Sequence, residues 1–546
     1  MKKKKSLVFM LVMLLTITLA LAGCKSGGNE KASGDKAGGD KASKDNVNAT
    51  GLPIVDKPIT LTIAGSYDAR TGSDWNSLET FKEINKDTNV NIDWKLSPGS
   101  DWAEKRNLML ASSDLPDVIL KLRPADVIKG GSQGIFIPLE DLIDKYAPNL
   151  TKYLDENPEV RAGITAPDGH IYALPQANMQ EYKRASGNTL WINKKWLEQI
   201  GMDMPKTTDE FKAALEAFKA QDMNGNGKKD EIPLTGIYGD SLHGFGFLFG
   251  SFGTLDETFL VKDKKVEFVR TSPEYKEVIK YLGSLYQEGL IDQEVFSLDE
   301  SALISKLSSG EKATAGAFFA WSPDQITNTA YKWDYDSPIT ALKGPKGDQA
   351  RGYLNPVLDP AIFAITKVNK YPAATIRWVD KAYDPDMSLK LREGPNRIKK
   401  LDNGKVEIVP EPEGVTAGEW RVKETPYNSF PYAVTQAMRD MMDLSNLKAG
   451  HLDPDSDEWF KLQKPNLKKW IYPQVLFTND QYNQIGQYET DIMQYTDEMA
   501  AKWITGSSDI DKDWDQYVET LNKMGLKEYK KVYQDAYNTY MKNSKK

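Results

Sequence analysis

The sequence predicts an α/β fold built in two or more lobes, and three observations carry that expectation. Strand-like and helix-like runs alternate from Ile59 onward. The candidate folded body, Leu52 to Lys546, is longer than a single hydrophobic core supports. A polar, low-complexity stretch separates that body from an apolar N-terminus.

The first elements follow a strand–helix–strand order. ITLTIAG (Ile59 to Gly65) places Leu61 and Ile63 on one strand face. SLETFKEINKDT sets Leu78, Phe81 and Ile84 at helical spacing, and NVNIDWKL reads as a second strand. Trp102 to Ala111 reads as a helix, and LPDVIL as a short buried strand. Parallel strands with covering helices are the expected result.

Farther on, TLWINKKWLEQIGM reads as strand then helix, with Trp191 in the core. A helix with Phe211, Leu215 and Phe218 on one face opens on a capping box, Thr207 with Glu210. Ser272, Pro273 and Gly289 bracket another helix. KATAGAFFAW and SPITAL (Ser337 to Leu342) read as strands. PAATIRWVDKAY and the run from Gln481 to Thr505, closed by Gly506, read as amphipathic helices.

The N-terminus sets the expected location. Lys2 to Lys5 precede the apolar SLVFMLVMLLTITLA, a signal-peptide pattern over residues 1–23. Leu21-Ala22-Gly23-Cys24 resembles the lipobox of bacterial lipoproteins, which implies that Cys24 carries lipid. Residues 24–51 then form a flexible Gly/Ser/Ala/Lys/Asp tether. A lipid-anchored protein on the extracellular face of the cell membrane is expected.

Composition excludes several functions. Cys24 is the single cysteine, so intrachain disulfides and cysteine-built metal sites are absent. His170, His243 and His451 show no zinc-binding spacing. The net charge of −8, with no basic block outside the signal and tether, argues against nucleic acid. GFGFLFG (Gly244 to Gly250) misses the dinucleotide-binding spacing by one residue. Thirteen tryptophans and twenty-five tyrosines suit stacking on sugar rings.

One loop reads as a cation site. In DMNGNGKKDE, side-chain oxygens alternate at Asp222, Asn224 and Asn226, Gly227 turns the chain, Lys228 offers a carbonyl, and Asp230 follows. Pro233 stands where an EF-hand has its bidentate Glu, and Glu231 is the nearest substitute. The expected ion is a structural Ca²⁺, clipping the preceding helix to the following strand. An ion-free Asn/Gly/Asp turn is the alternative.

ASSDLPDVIL, GIFIPLEDLI, DGHIYALP, TLWINKKWLEQIGMDMPKTTDEF and the strand ending in Trp321 occur in an order that resembles the extracellular solute-binding proteins of carbohydrate ABC importers. The C-terminal run from YETDIMQYTDEM to YKKVYQDAY is similar to their large lipoprotein subgroup, which includes alginate and other oligosaccharide binders. The resemblance covers residues 52–546. It implies a two-lobed, class II periplasmic-binding-protein fold with hinge-linked lobes closing over a cleft. Residues 52–185 with 335–395 would form one lobe, and 186–334 with 396–546 the other.

It further implies that Trp321 stacks on a sugar ring. Lys121 and Arg123, where relatives often carry an aromatic residue, would suit a carboxylated sugar or form a solvated edge. Tyr67, at the C-terminal end of a parallel strand, and Tyr238, Asp240 and His243, just past the cation loop, are further cleft candidates. The function expected is an oligosaccharide receptor, monomeric and not an enzyme, that delivers its ligand to ABC permease subunits. A surface glycoside hydrolase or lyase, which needs facing carboxylates, and a sugar sensor feeding a membrane kinase are the alternatives.

Overall fold

The computed structural model describes residues 46–544 apart from 69–70, 113, 181–187, 324–325, 329, 338–339, 413–414, 416 and 446–459. Cys24, the signal and tether up to residue 45, and His451 lie outside the described residues. Two sheets divide the molecule. The first has the strand order Ala433–Val434, Leu174–Asn178, Val357–Ile365, Val118–Leu120, Ile59–Tyr67, Val90–Pro98. The second has the order Tyr335–Asp336, Thr189–Asn193, Ala315–Ala320, Ile232–Leu234.

The parallel pairing expected from the opening elements is present. Ile59–Tyr67 pairs in parallel with Val90–Pro98 along its whole length and with Val118–Leu120 on its other side. The helices Glu79–Thr88 and Gly99–Ala111 make the crossovers. The sheet is nevertheless mixed. Val357–Ile365 enters antiparallel to both Val118–Leu120 and Leu174–Asn178, so the second half of the chain completes the first lobe.

Packing on the two faces follows residue size. One face carries an aromatic nest in which Trp75, Phe81, Trp94, Trp378 and Phe430 meet at centroid distances from 5.0 to 6.4 Å. The other presents Ala64, Ala361 and Ala364 beneath Trp102, Phe136 and Tyr172. In the second lobe, Gly316 lies under Phe218, where an added Cβ would come within 2.3 Å of the ring. The helices Asn479–Thr505, Ile510–Lys523 and Leu526–Asn543 extend that core. Among the described residues, no helix is long and apolar enough to cross a membrane.

The lobe boundaries differ from those expected. Phe430 lies in the first lobe's aromatic nest, and Ala433–Val434 pairs with Leu174–Asn178, so residues 396–445 belong to the first lobe. Residues 335–352 belong to the second. Tyr335 packs on Phe318, and the Ala350 amide donates to the Gly250 carbonyl at 2.9 Å. Burial of apolar rings outweighs sequence proximity in both cases.

Two further expectations change. SPITAL is not a strand among its described residues; pairing ends at Asp336, just before Pro338, which has no amide N–H to donate. Residues 46–51 belong to the folded body rather than to the tether. Val47 bridges Val55, the Asn48 amide donates to Ile54 O at 2.9 Å, and the Arg377 guanidinium holds the carbonyls of Asn48 and Gly51.

Among the described residues the chain thus changes lobe three times: between Asn178 and Thr189, between Gly352 and Val357, and between Asp443 and Leu467. Arg351–Gly352 and Leu467–Lys468 pair in parallel at two of these crossings. The segment before the first of these pairs is locked by glycine. A Cβ on Gly344 would meet the Ser251 carbonyl at 1.6 Å. Gly344→Ala is expected to lower stability by about 1–3 kcal/mol in urea unfolding, as forced overpacking does.

Candidate ligand site

A cavity of about 420 Å³ opens where the lobes and crossings meet. The second lobe contributes Trp321, at the end of the strand Ala315–Ala320, and Leu242. The second crossing contributes Leu354 and Asn355, and the strand Val357–Ile365 that follows it contributes Leu358. The first lobe contributes Asn178, Arg392, Arg421, Tyr427, Asn428 and Tyr432. A larger crevice, about 670 Å³, lies around Gly51, Tyr146 and Arg377, but its lining comes from the first lobe alone.

The inter-lobe cavity combines apolar faces with planar polar groups, the pairing that a pyranose or furanose ring needs. Trp321 is half-buried, and Leu358 is 53% exposed despite its size. Tyr427 has a φ of +51°, a backbone region that non-glycine residues seldom enter. Its amide donates to Thr425 Oγ1 at 3.0 Å, which holds the turn Tyr427–Ser429 in place. Tyr432 is buried, and that burial pushes its hydroxyl above the usual tyrosine range.

Both cavity arginines are ion-paired. Arg392 and Arg421 (3.1 Å) share the buried carboxylate of Glu393, which also meets Arg397 at 3.4 Å. Arg397 is anchored in turn by Glu411 at 2.8 Å.

Of the residues singled out in the sequence, Trp321 lies at the cavity. Tyr67 ends its strand opposite Pro98, half-buried against the first core, and that strand packs against the Tyr427–Ser429 turn without Tyr67 lining the cavity. Lys121 and Arg123 are not part of the lining either. Lys121 turns to Asp359 at 3.4 Å, and Arg123 forms a two-pronged bond with Asp126 at 2.7 and 2.9 Å. Arg106 shares Asp126, so both cations serve the start of the helix Pro124–Ser132.

The segment after the cation loop reaches the cavity through Leu242, which the sequence did not single out. Asp240 instead accepts the amides of Leu242 (2.9 Å) and His243 (2.7 Å). Burial opposes its ionisation, but these amides outweigh burial and hold the carboxyl below the usual aspartate range. His243 is 3% exposed and 3.3 Å from Asp240, a support for the turn rather than a ligand group. Tyr238 meets Phe296 at 4.9 Å with the rings tilted by 45°, and it lines a separate cavity of about 20 Å³ with Arg270 and Tyr275. Trp191 is core, as expected, with its indole N–H donating to Ala320 O at 3.1 Å.

The cation loop joins the helix Thr208–Ala220 to the strand Ile232–Leu234. Asp222 accepts the amides of Asn226 (3.0 Å) and Gly227 (2.7 Å), and Asn226 Nδ2 donates to Asp230 at 2.9 Å. Glu231 Oε1 accepts the amides of Met223 and Asn224 at 2.7 and 3.1 Å. Its Oε2 and Asn224 Oδ1 are buried acceptors without a hydrogen-bond partner. Two orphaned oxygens of this kind carry a desolvation cost that a cation would offset. Among the described residues, no three His, Cys, Asp or Glu side chains are gathered as a metal set. The donors this loop presents are instead a mixture of carboxylates, amides and the Lys228 carbonyl.

Residues 73–388 match the family of bacterial extracellular solute-binding proteins. The chain belongs to that family. It is 34% identical to the fructooligosaccharide ABC transporter substrate-binding protein FusA of Streptococcus pneumoniae over 97% of this chain and 98% of that one. The solved structure of FusA in complex with kestose matches 89% of this chain and 100% of that chain, with a TM-score of 0.75 and 33% identity. An EF-hand mutant of FusA in complex with fructo-nystose matches over the same shares at a TM-score of 0.75 and 32% identity. The two-lobed class expected from the sequence is therefore the fold of this chain, and it is an oligosaccharide-binding, substrate-binding protein of the ABC-importer type.

Half of the lining residues missed by sequence reading come from 392–432. A proline-flanked ETPYNSFPY, rich in aromatic and amide side chains, was the available signal. What the sequence did not reveal is that this segment returns to the first lobe. The double substitution Lys121→Met with Arg123→Met is expected to leave oligosaccharide affinity unchanged within about twofold by calorimetry, because exposed or locally paired charges contribute little.

Proposed function

We propose that this protein is a lipid-anchored receptor that captures a neutral oligosaccharide of the fructooligosaccharide class in its inter-lobe cleft and delivers it to an ABC importer. The observation that carries this reading is the cavity shared by both lobes, in which Trp321 and Tyr427 stand with three asparagines and two guanidiniums. Among the described residues its lining holds no carboxylate, which favours binding over glycoside hydrolysis. The pairing of Arg392 and Arg421 with Glu393 favours neutral over carboxylated cargo. The cargo of the FusA relative supports the choice of class.

The lipobox at Cys24 supports the anchor. Its test is a mass shift of a diacylglyceryl group on the mature protein, abolished by Cys24→Ser. The permease partner is tested by crosslinking at the membrane with and without sugar.

The decisive experiment is a melting series against kestose, maltotriose and trigalacturonate. A ligand of the folded state stabilises it by RT ln(1 + [L]/Kd), about 2.7 kcal/mol at a hundredfold excess over Kd. A shift with kestose alone supports the reading, and no shift with any sugar overturns it. Trp321→Ala is expected to weaken the kestose complex by about tenfold to a hundredfold, the usual effect of removing an aromatic anchor.

The loop Asp222–Glu231 is proposed to hold Ca²⁺ through Asp222, Asn224, Asn226, Asp230, Glu231 and the Lys228 carbonyl. The orphaned Asn224 Oδ1 and Glu231 Oε2 support it, as does the EF-hand described for the FusA relative. The ion would supply fixed positive charge at a helix–strand junction. Chelation with EGTA should lower the melting temperature by several degrees, and Glu231→Gln should remove most of that calcium dependence. Equal melting with and without EGTA would exclude the ion.

A further inference from the structure

We propose that Glu393, a buried residue that does not line the cleft, determines whether the receptor selects neutral or carboxylated oligosaccharides. The inference rests on the reading of the cleft as an oligosaccharide site. Arg392 and Arg421 are the only cations of the described cavity lining, and both are ion-paired to this one carboxylate.

The location of Glu393 is unfavourable for a carboxylate on its own. It is the last residue of the helix Pro385–Glu393, where the helix dipole presents its negative end, and it is 4% exposed. A leucine would fill such a position without either penalty. The guanidiniums supply the compensation. Gly394, at a φ of +98°, turns the chain immediately after Glu393, and Arg397 returns one turn later to the same carboxylate. Arg421 approaches from the helix Ala417–Glu424. Two segments distant in sequence are thus tied at one anion directly behind the cleft wall.

The consequence is electrostatic. With Glu393 ionised, its single negative charge offsets part of the charge on the two cleft arginines and orients their N–H donors, which suits hydroxyl and ring oxygens. Without it, the cavity wall would gain one further unit of positive charge and attract a carboxylate on a sugar more strongly. Glu393 touches no ligand in this scheme; it is a positioning and charge-setting residue. Specificity then comes partly from what the site declines to attract.

The test is Glu393→Gln, which keeps the side-chain shape and removes the charge. Wild-type protein is titrated calorimetrically with kestose and with trigalacturonate, and the variant likewise. The expected result is a gain of trigalacturonate affinity of about tenfold or more, with kestose binding reduced. Adding Arg421→Gln should abolish that gain. A merely structural Glu393 would lose both sugars, and loss of both or no gain of trigalacturonate overturns the proposal. Should the variant fail to fold, wild-type protein decides. Kestose affinity unchanged by added sulfate supports arginines held and screened by Glu393, and competition by sulfate overturns the proposal. If wild-type protein binds neither sugar, the cleft reading itself fails, an outcome distinct from failure of the Glu393 role.

Discussion

The molecule depends on one pairing, the insertion of Val357–Ile365 antiparallel between Val118–Leu120 and Leu174–Asn178. Without it, Val118–Leu120 and Leu174–Asn178 would lack the strand that joins them in one sheet. The centre of that sheet waits for a strand that arrives after the second lobe's sheet is complete. Each lobe is therefore assembled from separated pieces of chain, and the crossings between them are forced. The cavity follows from the same pairing, because Leu354, Asn355 and Leu358 lie at or just before the inserted strand. A binding site between lobes is the geometric result of how the first sheet is filled.

The sequence showed the elements more clearly than their assembly. Helical spacing located Glu79–Thr88, Thr208–Ala220 and Pro273–Gln287, and the caps at Thr207 and Ser272 accept the hydrogen bonds expected of them. Such signals are local, since period and capping act over a turn or two. Lobe membership is not local. Phe430 lies among Trp75, Phe81 and Trp378 because aromatic surface is buried there, and no spacing rule connects residue 430 to residue 75. Arg397 and Arg421 likewise acquire their meaning only from Glu393 and Glu411.

The cleft shows a similar divide. Trp321 was legible through the family resemblance, which sets a tryptophan at that strand end, and it does line the cavity. Lys121 and Arg123 were legible as charges but not as paired charges. Asp359 lies far along the chain from Lys121, and Asp126 is shared with Arg106. Formal charge in a sequence therefore overstated the positive potential of the cleft. The side chains that line it positively, Arg392 and Arg421, are themselves held by a carboxylate.

The proposed cation loop, a single one, would suit this setting. It lies at the junction of Thr208–Ala220 with Ile232–Leu234, and the chain then runs through the turn held by Asp240 to Leu242 at the cavity. Asp240 caps that turn with two amides, and Asn188 Nδ2 grips the Leu242 carbonyl at 2.8 Å. A sensor needs a pair of helices free to reorient when the ion arrives. Here the strand Ile232–Leu234 is fixed in parallel to Ala315–Ala320, and Phe211, Leu215 and Phe218 bury the helix in the core. Both partners are packed into the core, so an ion held between them would act as a clip and would keep the strand, and the wall that follows it, in register with Trp321.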